Sequence, residues 1–346
     1  MNTSSIHIDN MSFPFISAML VVRNEEDYIE LSLMSLIEQT YPKDNYEIIV
    51  IDGGSTDNTL SIIYKIKKLY ETPNFKIKVL ENSKHILASG WNLGIKSSKG
   101  DYVIRIDAHA KAEPSFLIEN AKTILNVDAV CVGGRLITKT LSGSNEVISK
   151  VLSSPFGVGN SHFRVSEKAG YTDTAVYGLY KKSIFDEVGY FNEKYVRNQD
   201  LQMHSRIKKE GGKFYFNPEI KCYYYTRNTT KKMIKQAFLN GKWNMILIKE
   251  APTSLSIRHL IPLGFVVFLF TSTIVGCFIR LIWMLEFFIL ILYFVLGFIF
   301  GIKSGAKGIE LFEMPCLFFL LHCSYGIGYF SGALNNGRKR NVCESL

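Results

Sequence analysis

Paired cysteines are missing. Cys131, Cys222, Cys277, Cys316, Cys323 and Cys343 are the only six cysteines in 346 residues, and no two form a Cys-x-x-Cys pair. Their irregular spacing argues against a disulfide scaffold or a structural zinc site, so a reduced, cytoplasmic setting is expected. The first 30 residues carry Asp9, Arg23, Glu25 and Glu26 and lack a basic region followed by an apolar run, so no secretory signal is expected. No Gly-x-Gly-x-x-Gly follows the first β-rich run and no Walker phosphate loop occurs, which removes most support for nicotinamide and ATP-hydrolysis chemistry. Negative charge is scarce: 31 Asp and Glu face 40 Lys and Arg, for a net charge of +9. Such an excess marks a chain that meets anionic lipid or nucleic acid, and composition alone does not choose between them. With 47% hydrophobic and 21% charged residues the chain is too apolar for a disordered one.

Long uncharged runs are absent before residue 255 and frequent after it. Residues 260–279, 287–302 and 314–337 give runs of 20, 16 and 24 residues without a charge. Three within so short a stretch favour a membrane region over core helices of a large soluble domain. At about 1.5 Å per residue the first spans roughly 30 Å, a hydrocarbon thickness, whereas the second reaches about 24 Å and must recruit residues 283–285 or thin the bilayer. Arg227, Lys231, Lys232, Lys235, Lys242, Lys249 and Arg258 stand against Glu250 alone just before the first run. By the positive-inside rule the preceding region faces the cytoplasm. Two crossings return Lys303 and Lys307 to that side, and a third would send Arg338, Lys339 and Arg340 out. Two spans plus a third membrane-embedded element are therefore expected, with His322, Gly326, Gly328 and Gly332 packed against protein. The expected organisation is a tail at 1–14, a soluble region at 15–226, a basic amphipathic interface segment at 227–258, a membrane region at 259–335 and a basic tail at 336–346.

The soluble region alternates β-rich and helical patterns. Residues 16–22, 46–51, 76–80, 102–106 and 129–133 read as strands, and 27–38, 57–70, 90–98 and 114–125 as helices. That order predicts an α/β fold with a doubly wound, mostly parallel sheet. Ligands of such sheets bind beyond the carboxyl ends of the strands, where this chain is polar: Arg23, Asn24 and Glu25; then Asp52 through Asp57; then Asp107 and His109. The 52–57 turn combines a carboxylate, two glycines and two hydroxyls, which suits either a nucleoside site or a plain strand-to-helix turn. Asp107 and His109 lie two apart, so in extended geometry both face one way and fit either one divalent ion or a solvated loop. Imidazole would favour manganese over magnesium, with a diphosphate completing the shell.

Val22-Arg23-Asn24-Glu25, the Asp52-Gly-Gly-Ser-Thr-Asp57 turn, Asp107-Ala-His109, the 177–193 stretch Tyr-Gly-Leu-Tyr-Lys-Lys-Ser-Ile-Phe-Asp-Glu-Val-Gly-Tyr-Phe-Asn-Glu, and Asn198-Gln199-Asp200 follow in order. Together they resemble the family 2 inverting glycosyltransferases of GT-A fold. The likeness is to the branch of succinoglycan and other exopolysaccharide enzymes with a hydrophobic tail, and it covers residues 14–335. The resemblance implies that Val22, Arg23, Glu25, Asp52, Gly90 and Asp107 bind the nucleotide. Asp107 and His109 would hold a divalent metal, Mn2+ or Mg2+, with His109 where the family often has a second aspartate. Asp200 would be the catalytic base, here Gln-Asp for the usual Glu-Asp, and Gln199, Gln236, Lys242 and Trp243 would lie on the acceptor and diphosphate side. The implied partners are a nucleotide-sugar donor, in the UDP series by the Asp52 motif, a lipid-linked saccharide acceptor, membrane lipids and polysaccharide-assembly proteins, with no nucleic acid. The implied location is the cytoplasmic membrane with the catalytic domain inside. Transfer to a polyprenyl monophosphate is the alternative within the class. A nucleotidyltransferase would want a Gly-rich basic loop where Arg23-Asn24-Glu25-Glu26 is acidic, a non-catalytic scaffold would leave Asp107 and Asp200 far apart, and a polymer-extruding synthase would carry the missing Gln-x-x-Arg-Trp motif.

Overall fold

In a computed structural model the chain is described over residues 13–139, 146–159, 161–225 and 229–334. The expected tail at 336–346, Arg227 and most of the tail at 1–14 lie outside the described residues. Among the described residues nine strands form one sheet. They are β1 (Ile16–Val22), β2 (Tyr46–Asp52), β3 (Ile77–Glu81), β4 (Tyr102–Asp107), β5 (Ala110–Ala112), β6 (Cys131–Lys139), β7 (Gly170–Thr172), β8 (Leu179–Lys181) and β9 (Phe214–Tyr225), in the order β3-β2-β1-β4-β8-β6-β9-β5 with β7 beside β9. β1 to β4 are mutually parallel, as expected for strands joined by helices.

Helices α1 (Ile29–Ile37), α2 (Thr59–Tyr70), α3 (Leu87–Ser97) and α4 (Phe116–Asn126) connect them. All seven residues of β2 are buried, the mark of a strand covered on both faces. Along β1, Ile16, Ala18, Leu20 and Val22 face a core with Leu33 and Leu36 of α1 and Ile63 of α2, while Met19 faces Trp91 and Ile95 of α3. That period of two fixes which face each helix covers.

The sheet departs from the expected pattern beyond β4. β8 runs antiparallel between β4 and β6, and β5 and β7 are antiparallel to β9. Three of these have only three residues each, too few to show a period, and β9 carries Pro218, which reads as a turn signal. β6 also runs well past the expected 129–133, through an irregularity between Gly133 and Arg135.

Three short helices follow β6: α5 (Glu146–Ser153), α6 (Pro155–Val158) and α7 (His162–Val165). α8 (Ile184–Val188) and α9 (Gln199–Lys209) precede β9, and α10 (Thr230–Glu250) follows it. The described residues close with α11 (Ile257–Gly276), α12 (Arg280–Lys303) and α13 (Glu310–Leu334), each long and apolar enough to cross a membrane. The short second run has recruited residues 280–286, giving α12 24 residues. α13 differs from the other two: 39% of its apolar window is buried in the protein against 11% for each of them. It packs on α10 through Gly328 and Gly332, where a Cβ would meet the carbonyls of Phe238 and Lys242. α6 joins the same bundle, with Phe156 against the rings of Tyr293, Phe300 and Phe318.

Candidate active site

The strand ends align the first residues. Val22 stands beside Asp52 across β1 and β2, and Val21 beside Asp107 across β1 and β4, so Asp52 and Asp107 flank one strand end. The loops beyond are joined to each other. The backbone N–H of Asn24 donates to Ser55 Oγ at 3.0 Å, and that of Thr56 to Asn24 Oδ1 at 2.8 Å. The Glu25 N–H donates to Thr59 Oγ1 at 2.8 Å, and the Asn58 N–H to Glu26 Oε2 at 3.0 Å. Arg23 runs beside Gly53, whose N–H donates to the Val22 carbonyl at 2.8 Å.

Asp52 is 4% exposed, and its carboxylate accepts the Gly54 N–H at 3.0 Å and the Ser55 hydroxyl at 2.6 Å. It therefore anchors its own turn. Gly54 sits at φ = 79°, and a Cβ there would come 2.6 Å from the His85 ring, which bonds the Gly53 carbonyl at 2.7 Å. Gly90 serves the approach of α3 to β1, since a Cβ would lie 2.8 Å from Val21 Cγ1.

Extended geometry does not carry from Asp107 to His109. β4 ends at Asp107, and the chain turns before β5. Asp107 accepts the Tyr177 hydroxyl at 2.9 Å, whereas His109 Nδ1 stands 3.4 Å from Glu25 Oε1, with the Tyr224 ring 5.0 Å away. The two residues thus have different neighbours, contrary to the alternation argument. Burial first, and then the Asp107 charge, push the Tyr177 phenol well above its usual pKa.

Asp200 lies in the first turn of α9, where its Oδ1 accepts the Leu201 N–H at 3.0 Å. Its Oδ2 accepts from Arg105 Nη2 at 3.4 Å. Arg105 is two residues before Asp107 on β4, hence on the same face, and is 7% exposed. Its guanidinium lies 3.7 Å from the centre of the Trp91 ring. Burial opposes its charge, but Tyr180, Asp200 and Asp107 more than offset this and hold its pKa above the usual arginine value. One arginine thus bonds Asp200 and stands on the face of β4 that carries Asp107, which the reading of the sequence did not single out. The available signal was a charge at an inward position of an otherwise apolar strand.

Below Asp200, His204 is buried, with Nδ1 2.7 Å from Thr174 Oγ1 and Nε2 2.6 Å from the Tyr180 hydroxyl. Burial pushes its pKa down to about 3. Gln199 is turned inward and donates to the Val196 carbonyl at 2.7 Å. Among the described residues, the side chains of Gln236, Lys242 and Trp243 make no hydrogen bond to the Asp200 region. α10 reaches that region through other residues: Asn240 accepts from Arg197 Nη1 at 3.5 Å, Asn244 from Asn198 Nδ2 at 2.6 Å, and Glu250 from the Tyr195 hydroxyl at 2.5 Å.

Backbone strain collects in the same place. Asn24, His85, Tyr177 and Asn198 are the non-glycine residues with positive φ among those described, and each belongs to one of these loops. Such residues cost on the order of 1–3 kcal/mol each and persist where surrounding contacts over-determine them, commonly at functional sites.

Residues 17–189 match Glycosyl transferase family 2. A dolichyl N-acetyl-alpha-D-glucosaminyl phosphate 3-beta-D-2,3-diacetamido-2,3-dideoxy-beta-D-glucuronosyltransferase from Methanococcus voltae is 34% identical over 328 residues, 92% of this chain and 97% of that one. The succinoglycan biosynthesis protein ExoA of Rhizobium meliloti (strain 1021) is 24% identical over 243 residues, 70% of this chain and 72% of its own. Among solved structures, the mannosyltransferase PcManGT of Pyrobaculum calidifontis, in complex with GDP-Man and Mn2+, matches with a TM-score of 0.55 at 18% identity, covering 72% of this chain and 70% of that one. The mixed, mostly parallel sheet is of the GT-A type, and the apolar helices behind it make this a membrane protein. A near full-length relative and a family match across half of the residues make the chain a member of glycosyl transferase family 2 and a glycosyltransferase.

Proposed function

We propose that this enzyme moves a sugar from a nucleotide donor, in the UDP series, to a lipid-linked saccharide, with inversion at the anomeric carbon, during assembly of a cell-surface glycan. The observation that carries the reading is Arg105: its guanidinium joins the strand end bearing Asp107 to the helix start bearing Asp200. A donor-side carboxylate and a base must come within reach of one substrate, and an arginine bonded to one and on the strand face of the other supports that. The Methanococcus relative, whose name specifies a dolichyl-linked sugar phosphate, favours a lipid-linked saccharide over a bare polyprenyl phosphate.

In this reading Asp200 takes the proton of the acceptor hydroxyl, a contribution of about 10² to 10⁴ in rate. The Arg105 and Leu201 donors fix the carboxylate so that it is aimed before substrate arrives. A single displacement inverts the sugar. The 23–26 and 52–57 loops, with Gly90 behind them, seat the nucleotide, and Gln199, Gln236, Lys242 and Trp243 lie on the acceptor side.

A divalent ion suits the donor set. Among the described residues no three His, Cys, Asp or Glu side chains gather into a cage, and the chain offers Asp107 and His109 as separate oxygen and nitrogen donors. In this reading both side chains would turn toward one ion whose remaining positions are filled by diphosphate oxygens. When bound, the ion would supply charge to the departing nucleoside diphosphate.

Residues 15–226 form the catalytic unit, 227–258 the interface segment and 259–335 the membrane region, with the catalytic unit in the cytoplasm by the positive-inside rule. The test is transfer by the full-length protein in lipid nanodiscs, with candidate nucleotide sugars and lipid-linked acceptors and the product anomer read by NMR. The expected product has the opposite configuration to the donor, and Asp200→Asn binds donor but transfers at least about 100-fold more slowly. Retention of configuration, or normal turnover by Asp200→Asn, would reject the assignment.

A further inference from the structure

The helix that carries Asp200 is tied to the membrane helices by one buried amide. Asn244 of α10 is 1% exposed. Its Nδ2 donates to the Tyr325 hydroxyl at 2.6 Å and to the Tyr329 hydroxyl at 3.1 Å, both on α13. Tyr329 in turn donates to the His259 carbonyl of α11 at 2.7 Å. On its other side Asn244 Oδ1 accepts from Asn198 Nδ2 at 2.6 Å, two residues before Asp200. A small buried amide with donors and acceptor all engaged is a rigid connector.

Two features show that the connection sets geometry. An asparagine at a helix N-cap ordinarily turns its side chain onto its own first-turn amides, a bond worth about 1 kcal/mol. Asn198 makes no such bond and instead holds a left-handed backbone, φ = 58° and ψ = 25°, with its amide directed at Asn244. Local preference has been set aside for the long-range contact. Behind Asn244, α10 and α13 touch backbone to backbone: a Cβ on Gly241 would stand 1.9 Å from the Tyr325 carbonyl oxygen, and one on Gly328 2.1 Å from that of Phe238. These helices cannot slide past each other without moving Asn244.

We propose that Asn244 is a positioning residue for sugar transfer, holding the start of α9, and with it the Asp200 carboxylate, in register with α13 and α11. The inference rests on the reading of Asp200 as the base. Its consequence is that the base is aligned by the seating of the membrane helices, while the nucleotide loops at β1 and β2 take no part in the connection. A displacement of the base of about 1 Å is enough to cost about 100-fold in turnover.

The experiment uses full-length protein in nanodiscs with four variants: Asn244→Leu, the double change Tyr325→Phe with Tyr329→Phe, Asn198→Gly, and Asp200→Asn. The tyrosine pair keeps its rings and loses only hydroxyls, and glycine adopts the left-handed backbone freely, so these two variants test the connection even where Asn244→Leu folds poorly. The first three should lower kcat by about 10- to 100-fold with the dissociation constant for the nucleotide within about twofold of wild type. Wild-type kcat in the tyrosine and Asn198 variants, or loss of nucleotide binding in step with kcat, overturns the proposal. Asp200→Asn separates the two ideas. Should it turn over normally, the base assignment fails; should it be inactive while the other three are normal, only the positioning role fails.

Discussion

Around the proposed nucleotide loops the fixing contacts join segments that follow adjacent strands. Asn24 meets Ser55 and Glu26 meets Asn58 across sequence separations of 31 and 32 residues, between strands already paired in register. On the base side Asp200 is held by Arg105 from 95 residues away, and Asn198 by Asn244, which is held by tyrosines 81 and 85 residues further along. The first half of the cleft is positioned by the sheet, the second by assembly of sheet, α10 and membrane helices. Perturbations should therefore divide: some act on donor affinity alone, others on turnover alone.

The largest effect is the one that acts on both halves at once. Chelation of divalent ions should lower transfer by at least about 100-fold, as expected when several kcal/mol of charge stabilisation are lost. Because Asp107 and His109 do not make a closed shell, metal should bind weakly to the protein alone and more tightly with nucleoside diphosphate, and the reverse by linkage. Calorimetric titration of each ligand with and without the other measures this. Manganese should be preferred, and His109→Asp should shift preference toward magnesium through a harder oxygen ligand. Full activity in chelator would remove the metal from the scheme.

Arg105→Lys comes next and should strike the base half harder than the nucleotide half, because the charge on the Asp107 face of β4 is kept. Lysine keeps the charge but loses the planar face over Trp91 and the fork that reaches Asp200. A fall in kcat of about 10- to 100-fold with little change in nucleotide affinity is expected from misplacing the base. An effect confined to donor affinity would place Arg105 in the nucleotide site.

The same division explains what the sequence revealed. Strands β1 to β4 were legible because their apolar runs are bounded by turn signals, and the loop residues 23–25 and 52–57 were legible because each follows its strand directly. Asp200 was singled out only by resemblance, since nothing local marks it beyond a helix start. Arg105 and Asn244 went unrecognised, and Tyr177 and Asn198 entered only as members of motifs without a role, because their contacts are with partners far away in sequence. The short strands β5, β7 and β8 were missed for a related reason: three residues take their conformation from neighbouring strands. The expectation that Asp107 and His109 face one way failed because a strand rule was carried past the end of its strand.

Gly54→Ala should sharpen the comparison from the other side. With φ = 79° and the His85 ring 2.6 Å from the new Cβ, the 52–57 turn must shift. A cost of about 1–3 kcal/mol is expected from strain of this kind. It should appear as a several-fold rise in donor KM with kcat nearly unchanged, because Asp200 and its ties are untouched. A matching fall in kcat would mean that the two halves are not independent.

The smallest effect concerns acid. His204 lies one turn beyond Asp200 and is neutral in the fold, its pKa pushed down to about 3 by burial. In the unfolded chain it titrates near the usual value of about 6.5. Between those values the unfolded state binds a proton that the native state does not, so stability falls as pH drops from about 6.5 toward 3 and is independent of this group above 6.5. The slope is at most about 1.4 kcal/mol per pH unit. Because the ring bonds Thr174 and Tyr180, its protonation should loosen α9, and the base half should be the more acid-sensitive. His204→Gln keeps a donor and an acceptor without a titrating group. Thermal unfolding between pH 7.5 and 5 should show a shallower decline for this variant than for wild type. Identical pH slopes for the two proteins would show that His204 does not carry the acid sensitivity of this half of the site.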